Sequence, residues 1–172
     1  MKKERQEKKG TKKLDQIDCD IIQLLQKDGR VQNTKIANKI GISEATVRSR
    51  LNRLIKEEYI QIVAVSNPMK LGFEIVGALR IHVYNKKIDA VIRKLKKVKP
   101  LWYIVLSTGV TGIDSEFIVK SLNELNDLVF NVINPIDGVI RTETSLIMHY
   151  VKRQYDWGVA LDFDSGNGKT NL

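Results

Sequence analysis

The chain has 172 residues, 42% of them hydrophobic, which suits one compact domain or two small ones. Its formal charge of +9 favours a polyanionic partner. No run approaches the roughly twenty apolar residues that span a bilayer, and the N-terminus lacks a signal-peptide core. The single cysteine, Cys19, excludes an intrachain disulfide and any multi-cysteine zinc site, so a cytoplasmic protein without a metal or cofactor is expected.

Residues 1–13 carry Lys2, Lys3, Arg5, Lys8, Lys9, Lys12 and Lys13 against Glu4 and Glu7, seven minus two, a net of five positive charges. Without apolar periodicity this arm reads as disordered, either lying along phosphates or merely solubilising the chain. A first helix is expected over residues 15–28, with Ile17, Ile21, Leu24 and Leu25 as its apolar side and Cys19 nearly opposite Ile21 as an incidental residue. Asn33 or Thr34 is expected to cap a second helix whose Ile36, Ala37 and Ile40 share a face, and Gly41 stops it. Ser43 caps a third helix with Val47, Leu51 and Leu54 on one stripe. Ala45, Thr46, Ser49, Asn52 and Arg53 fall opposite, and Arg48 and Arg50 lie at the flanks. Three such helices make a small core that is marginal by itself. After Glu57-Glu58, the β-branched run 59–65 predicts a strand, which Asn67-Pro68 breaks before a hinge that reaches Gly72.

The second half alternates strand and helix. Residues 75–84 predict a strand with Leu79, Ile81 and Val83 on one face and Ala78, Arg80, His82 and Tyr84 on the other. Residues 87–98 predict a helix that Pro100 closes, with Ile88, Val91, Ile92, Leu95 and Val98 in register. Strands follow over 102–107 and 113–120, joined by a loop carrying Gly109 and Gly112. Ser121 and Glu124 form a capping box for a helix running through Leu125, Leu128, Val129 and Val132, and residues 138–151 predict a long last strand. The fold class is therefore α+β: an N-terminal helix-turn-helix followed by a β-α-β-β-α-β ferredoxin-like domain with helices on one sheet face. The chain divides into a basic arm (1–13), the helix-turn-helix domain (14–60), a linker strand and hinge (61–72), the ferredoxin-like domain (73–152) and a tail (153–172).

The run NTKIANKIGISEATVRSRLNR, residues 33–53, is two short helices joined at a glycine, the second rich in Arg and small polar residues away from its core stripe. This is the pattern of a helix that lies in the major groove of double-stranded DNA. Ser, Thr and Asn can bond base edges or phosphates, and Arg can reach guanine with two parallel bonds. The candidate DNA-contacting residues are Asn33, Thr34, Ser43, Ala45, Thr46, Arg48, Ser49, Arg50, Asn52 and Arg53. Pseudo-symmetric sites are read best by a dimer, for which the open sheet face offers a surface.

The run from Leu14 to Gln61 resembles the DNA-binding half of the leucine-responsive regulator/AsnC (Lrp/AsnC) family of transcription factors. The matching features are the Leu-Asp-Xaa-Ile-Asp opening (Leu14 to Asp18), the Asp28-Gly29-Arg30 turn, Gly41-Ile42-Ser43 and the Arg50-Xaa-Xaa-Arg53-Leu54 spacing. Asn67-Pro68 matches the loop after the family's linker strand. The second half resembles the family's ligand-sensing (RAM-type) domain, so the likeness covers roughly residues 14–152. It implies a winged helix-turn-helix, a homodimer formed through the sheet domain, further assembly to tetramers or octamers, and an amino-acid effector at a dimer-dimer interface. The family's effector loop, Gly-Xaa-Xaa-Asp, corresponds to Gly109, Val110, Thr111 and Gly112. Glycine thus stands where the acid is usual and Asp114 two positions on, a departure that puts amino-acid sensing in question. Some proteins of the same architecture resemble these regulators yet decarboxylate sirohaem-type tetrapyrroles, using histidines and basic residues. Here only His82 and His149 occur, each in an expected strand, and no phosphate loop, metal-ligand pair or nucleophile elbow accompanies them. A regulator rather than an enzyme is expected. The sheet also lacks the aromatic motifs with which ribonucleoprotein domains stack bases.

Overall fold

A computed structural model describes residues 13–108 and 112–160. They form two units, one of residues 13–64 together with 153–160, the other of residues 65–152. The basic arm up to residue 12, the loop residues 109–111 and the end of the tail lie outside the described residues.

In the first unit, α1 (Gln16–Lys27) starts at a capping box made of two aspartates. The Asp15 carboxylate accepts the Asp18 amide at 3.0 Å and the Asp18 carboxylate accepts the Asp15 amide at 3.1 Å. The second helix, α2 (Asn33–Ile40), begins at Asn33. The expectation that Asn33 or Thr34 caps it is corrected: both lie within the first turn, and Gln32 holds the cap with no side-chain bond. The extended Gln32 backbone takes over that task, its carbonyl accepting the Lys35 and Ile36 amides at 2.9 and 3.1 Å. Gly41 closes α2 in the left-handed conformation (φ 81°) that glycine adopts without steric cost. Ser43 then caps α3 (Glu44–Lys56), its hydroxyl accepting the Thr46 amide at 3.1 Å.

Ile21, Ile22, Ile36, Ala37, Val47 and Leu54 are buried where the three helices meet, ringed by Ile17, Leu24, Leu25, Ile40 and Ile60. Cys19 joins the buried residues, which corrects its reading as incidental. Burial, aided by the negative charges of Asp18, Asp20 and Asp15, pushes its thiol above the ordinary value, away from the thiolate form. The tail docks here as well. Gln26 donates to the Gly158 carbonyl and accepts the Gly158 amide, both at 3.2 Å, and Val159 packs against the helical core.

Residues 60–67 adopt no regular structure, and Ile62, Val63 and Val65 are exposed. The strand expected over 59–65 is therefore absent from the single chain. A β-branched run favours extended backbone, but a strand also needs a neighbour to pair with, and the described residues supply none there.

The second unit is a four-stranded antiparallel sheet of order β2-β3-β1-β4, built from β1 (Ile75–Val83), β2 (Leu101–Leu106), β3 (Gly112–Val119) and β4 (Val139–Leu146). One face is covered by α4 (Ile88–Leu95) and by α5 (Leu122–Asn126), which runs on into a π-helical segment, Asp127–Ile133. This is the ferredoxin-like arrangement. Leu79, Ile81, Val83, Val91, Leu95, Ile113, Phe117 and Ile133 form its core. Ser121 caps α5, and Glu124 bonds back to the Lys120 amide at 2.8 Å. The last strand ends at Leu146, opposite Gly77, rather than running to residue 151: the last bond is Ile147 amide to Val76 carbonyl, 2.8 Å, and β1 pairs with β3 alone from there to its start at Ile75. No helix among the described residues is long and apolar enough to cross a membrane.

Candidate nucleic-acid interface

The second helix of the pair, α3, is fixed from three sides. Ser43 caps its start, and the Ser43 and Thr46 hydroxyls are bonded at 2.7 Å. Val47 and Leu54, both fully buried, anchor it in the core. The third anchor is ionic. Arg50 places one nitrogen against both Asp15 oxygens (2.6 and 2.7 Å) and Asp18 Oδ1 (2.9 Å), and Arg53 reaches Asp18 Oδ2 at 2.5 Å and Glu57 at 3.5 Å.

These contacts favour the charged forms of Asp15, Arg50 and Arg53. The Arg50 hydrogen bond, above all, holds the Asp15 carboxyl below its ordinary value. The Asp15 bond raises Arg50, and the Asp18 bond raises Arg53. The Asp18 side chain is only 1% exposed. Removing its arginines would leave a buried, uncompensated carboxylate, at a cost of about 3–5 kcal/mol.

The outer side of α3 presents Ala45, Arg48, Ser49 and Asn52, all exposed, with Thr46 half-buried beside them. Arg48 bonds Glu44 one turn back at 2.5 Å yet keeps 65% of its side chain exposed. Such a solvated i,i+4 pair exchanges easily for a phosphate. Ala45, Thr46, Ser49, Arg50 and Arg53 line a groove of about 480 Å³ along the helix. Arg53 thus does not lie squarely opposite the core stripe as expected: its side chain is 21% exposed and turned onto Asp18. Asn33 is half-buried, and Thr34 and Ser43 are exposed.

In the second unit, the effector-loop residues Gly109, Val110 and Thr111 lie outside the described residues. Gly112 is buried at the start of β3, opposite His82. Asp114 sits on the open sheet face, accepting from Arg80 Nε at 2.8 Å and from the Ser107 hydroxyl at 2.5 Å. These two bonds, Ser107's first, hold its carboxyl below the ordinary value. On the same face His82 Nε2 lies 3.0 Å from Glu143, which also meets Arg141 at 2.8 Å. His149 is exposed beyond the end of β4 instead of within a strand. Among the described residues no group of three or more His, Cys, Asp or Glu is placed to hold a metal ion.

Reading by residue type missed Asp15 and Asp18, because helix-start aspartates look like caps and nothing else. The available signal was the matched spacing: two acids three apart on α1 and two arginines three apart on α3, each pair on one helix face.

Two family models match the chain. Residues 14–61 fit a winged helix-turn-helix DNA-binding domain, and residues 78–157 fit the Lrp/AsnC ligand binding domain. An uncharacterized HTH-type transcriptional regulator of Pyrococcus horikoshii is 37% identical over 151 residues, 87% of this chain and 93% of that protein. The HTH-type transcriptional regulator LrpA of the same organism is 32% identical over 140 residues, 81% of this chain and 99% of its own length. Among solved structures, Escherichia coli AsnC superimposes with a TM-score of 0.73 at 21% identity, covering 83% of this chain and 97% of that one. A Neisseria meningitidis transcriptional regulator, solved as a complex with L-Met, gives a TM-score of 0.74 at 19% identity, covering 84% and 96%. Sequence relatives, domain order and the matched fold agree, and the chain belongs to the Lrp/AsnC family of helix-turn-helix transcriptional regulators.

Proposed function

We propose that this regulator binds double-stranded DNA sequence-specifically by seating α3 in the major groove, as a homodimer or larger assembly, and that residues 65–152 carry assembly and the response to a small molecule. The observation that carries the reading is the exposed row Ala45, Arg48, Ser49 and Asn52 on a helix held rigidly by cap, core and ion pairs. A short polar row on a fixed helix is what base-edge recognition needs. Asn33, Thr34 and Ser43, at helix starts, are suited to phosphates.

Assembly is further supported by the exposed apolar side chains of Ile62, Val63 and Val65, in the segment that leads into residues 65–152 and lies outside any helix or strand, which a second copy can pair and cover. For the small molecule, the L-Met complex of the Neisseria protein supports an amino-acid effector. Here the acid offered for an effector ammonium is Asp114, already bonded to Arg80, so an amino acid must displace that guanidinium. Weak binding of the standard amino acids is the expected result.

Selection of duplexes from a randomised pool by the full chain tests the DNA reading: an enriched, repeated or palindromic motif is expected, and an unenriched pool rejects it. Light scattering on the same chain tests assembly, a monomer being the result that defeats it. A thermal-shift series with L-Met and leucine tests sensing. Tight leucine binding that survives Asp114→Ala would show that Asp114 is not the effector's acid.

A further inference from the structure

We infer that Asp15, Asp18, Arg50 and Arg53 form a brace that sets the rotation of α3 on α1, making the two arginines positioning residues for DNA recognition rather than readers of bases. The inference rests on the reading that α3 enters the DNA groove.

The geometry is two-by-two. Asp18 Oδ1 accepts from Arg50 and Oδ2 from Arg53, while Oδ2 also accepts the Asp15 amide. Asp15 takes Arg50 with both oxygens and at the same time caps α1. Acids three residues apart on one helix therefore meet arginines three residues apart on the other. Turning α3 by one residue, about 100°, carries both guanidinium groups away from both carboxylates, so this pairing admits one rotation. Apolar contacts through Val47 and Leu54 are less selective, since they are non-directional.

Burial decides which role the arginines play. Their side chains are 22% and 21% exposed, against 65% for Arg48. For Arg53 to reach a guanine it must abandon an Asp18 side chain that is 1% exposed. The desolvated carboxylate then outweighs what a base contact returns. The brace also cancels charge, two positive groups against two negative, so it adds little to long-range attraction for DNA. Base reading falls instead to the neighbouring row Ala45, Ser49 and Asn52, which the brace points outward.

The two roles predict opposite signs. The full chain is titrated with the duplex it enriches from a randomised pool and with a scrambled duplex of equal length, over a range of salt. With a brace, Asp18→Asn weakens binding to the enriched duplex by about tenfold or more, since tenfold corresponds to a modest misplacement energy of 1.4 kcal/mol. It leaves the scrambled duplex and both salt slopes unchanged. If the arginines were DNA contacts restrained by the acids, the same variant would free two cations, tighten binding to both duplexes and steepen the slopes. That result overturns the proposal. Arg53→Gln should likewise leave the slope unchanged, and a slope reduced by about one would identify a phosphate contact and overturn it. Should Asp18→Asn fail to fold, Asp15→Asn gives the same test of sign while keeping Asp18 paired. A urea-unfolding cycle of Asp18→Asn, Arg53→Gln and the double variant needs no DNA: strong coupling supports the brace and additivity rejects it. A wild-type chain that enriches no sequence defeats the DNA reading, and the positioning role with it, while the cycle still reports on the brace alone.

Discussion

Gly77 shows how one residue fixes the second unit. It lies in β1 opposite Phe117 of β3 and Leu146 of β4, on the face that turns to the helices. A Cβ there would stand 2.4 Å from the Ser145 carbonyl oxygen and 2.5 Å from the Phe117 ring. The backbone contact cannot be relieved by a rotamer change, so Gly77→Ala is expected to destabilise the chain by about 1–3 kcal/mol. Urea unfolding measures this, and an unchanged midpoint would show that the ring and strand yield freely. A second expectation at this scale concerns acid. Asp15 and Asp114 have native values below those of the unfolded chain, chiefly through their bonds to Arg50 and to Ser107 with Arg80. A depressed carboxyl contributes stability that is fully present above the ordinary carboxylate range and lost as pH falls through the lowered native value. Both side chains are partly solvated, so each contribution is small. Below the ordinary range Asp15→Asn should lose less stability per pH unit than the wild type, and parallel curves would remove Asp15 from the acid response.

At the scale of elements, the tail is the unexpected part of the first unit. Residues 153–160 belong with the helices, tied by the reciprocal Gln26–Gly158 bonds and by Val159 against the core. One partly buried valine and two hydrogen bonds in half-solvated surroundings suggest about 1–2 kcal/mol. Ending the chain after Lys152 should therefore speed hydrogen exchange along α1 and lower the unfolding midpoint, and Val159→Asp should reproduce most of the effect. A truncated chain with unaltered exchange in α1 would make the docking incidental. The sequence did carry a sign of this: Tyr155, Trp157, Val159, Leu161 and Phe163 alternate with a period of two, the pattern of a half-buried extended segment, but nothing local shows what it packs against. The three helices and four strands were legible, since their apolar positions recur with periods that one element alone displays. What escaped was non-local. The run 59–65 has the composition of a strand but no partner among the described residues, and β4 stops opposite Gly77 although its own residues keep a strand-like composition. The interface residues were legible by type and only partly by role. Ser43 and the outward row of α3 follow from spacing, whereas Arg50 and Arg53 are committed to acids 32 and 35 residues away, which no local pattern reveals.

For the whole molecule, charge distribution decides how DNA is found and held. The formal charge is +9, and residues 1–13 contribute a net five of it. The arginine brace of α3 is matched by two acids, so in the helix-turn-helix half the arm is the dense run of positive charge that phosphates can meet; residues 93–99, with five basic residues and no acid, form another in the second half. Phosphate neutralisation releases counterions, and affinity then falls with salt by a logarithmic slope of about 0.9 for each phosphate engaged. A chain lacking residues 1–13 should bind random duplex more weakly, with a slope shallower by up to about 4–5 if every net charge of the arm meets a phosphate. Preference for the enriched sequence over random duplex should survive, because the row on α3 proposed to read bases is untouched. Measuring affinity for both duplexes across salt separates the two contributions. Equal slopes with and without the arm would make it a solubilising extension, and a loss of preference along with the arm would move base recognition from α3 to the N-terminus.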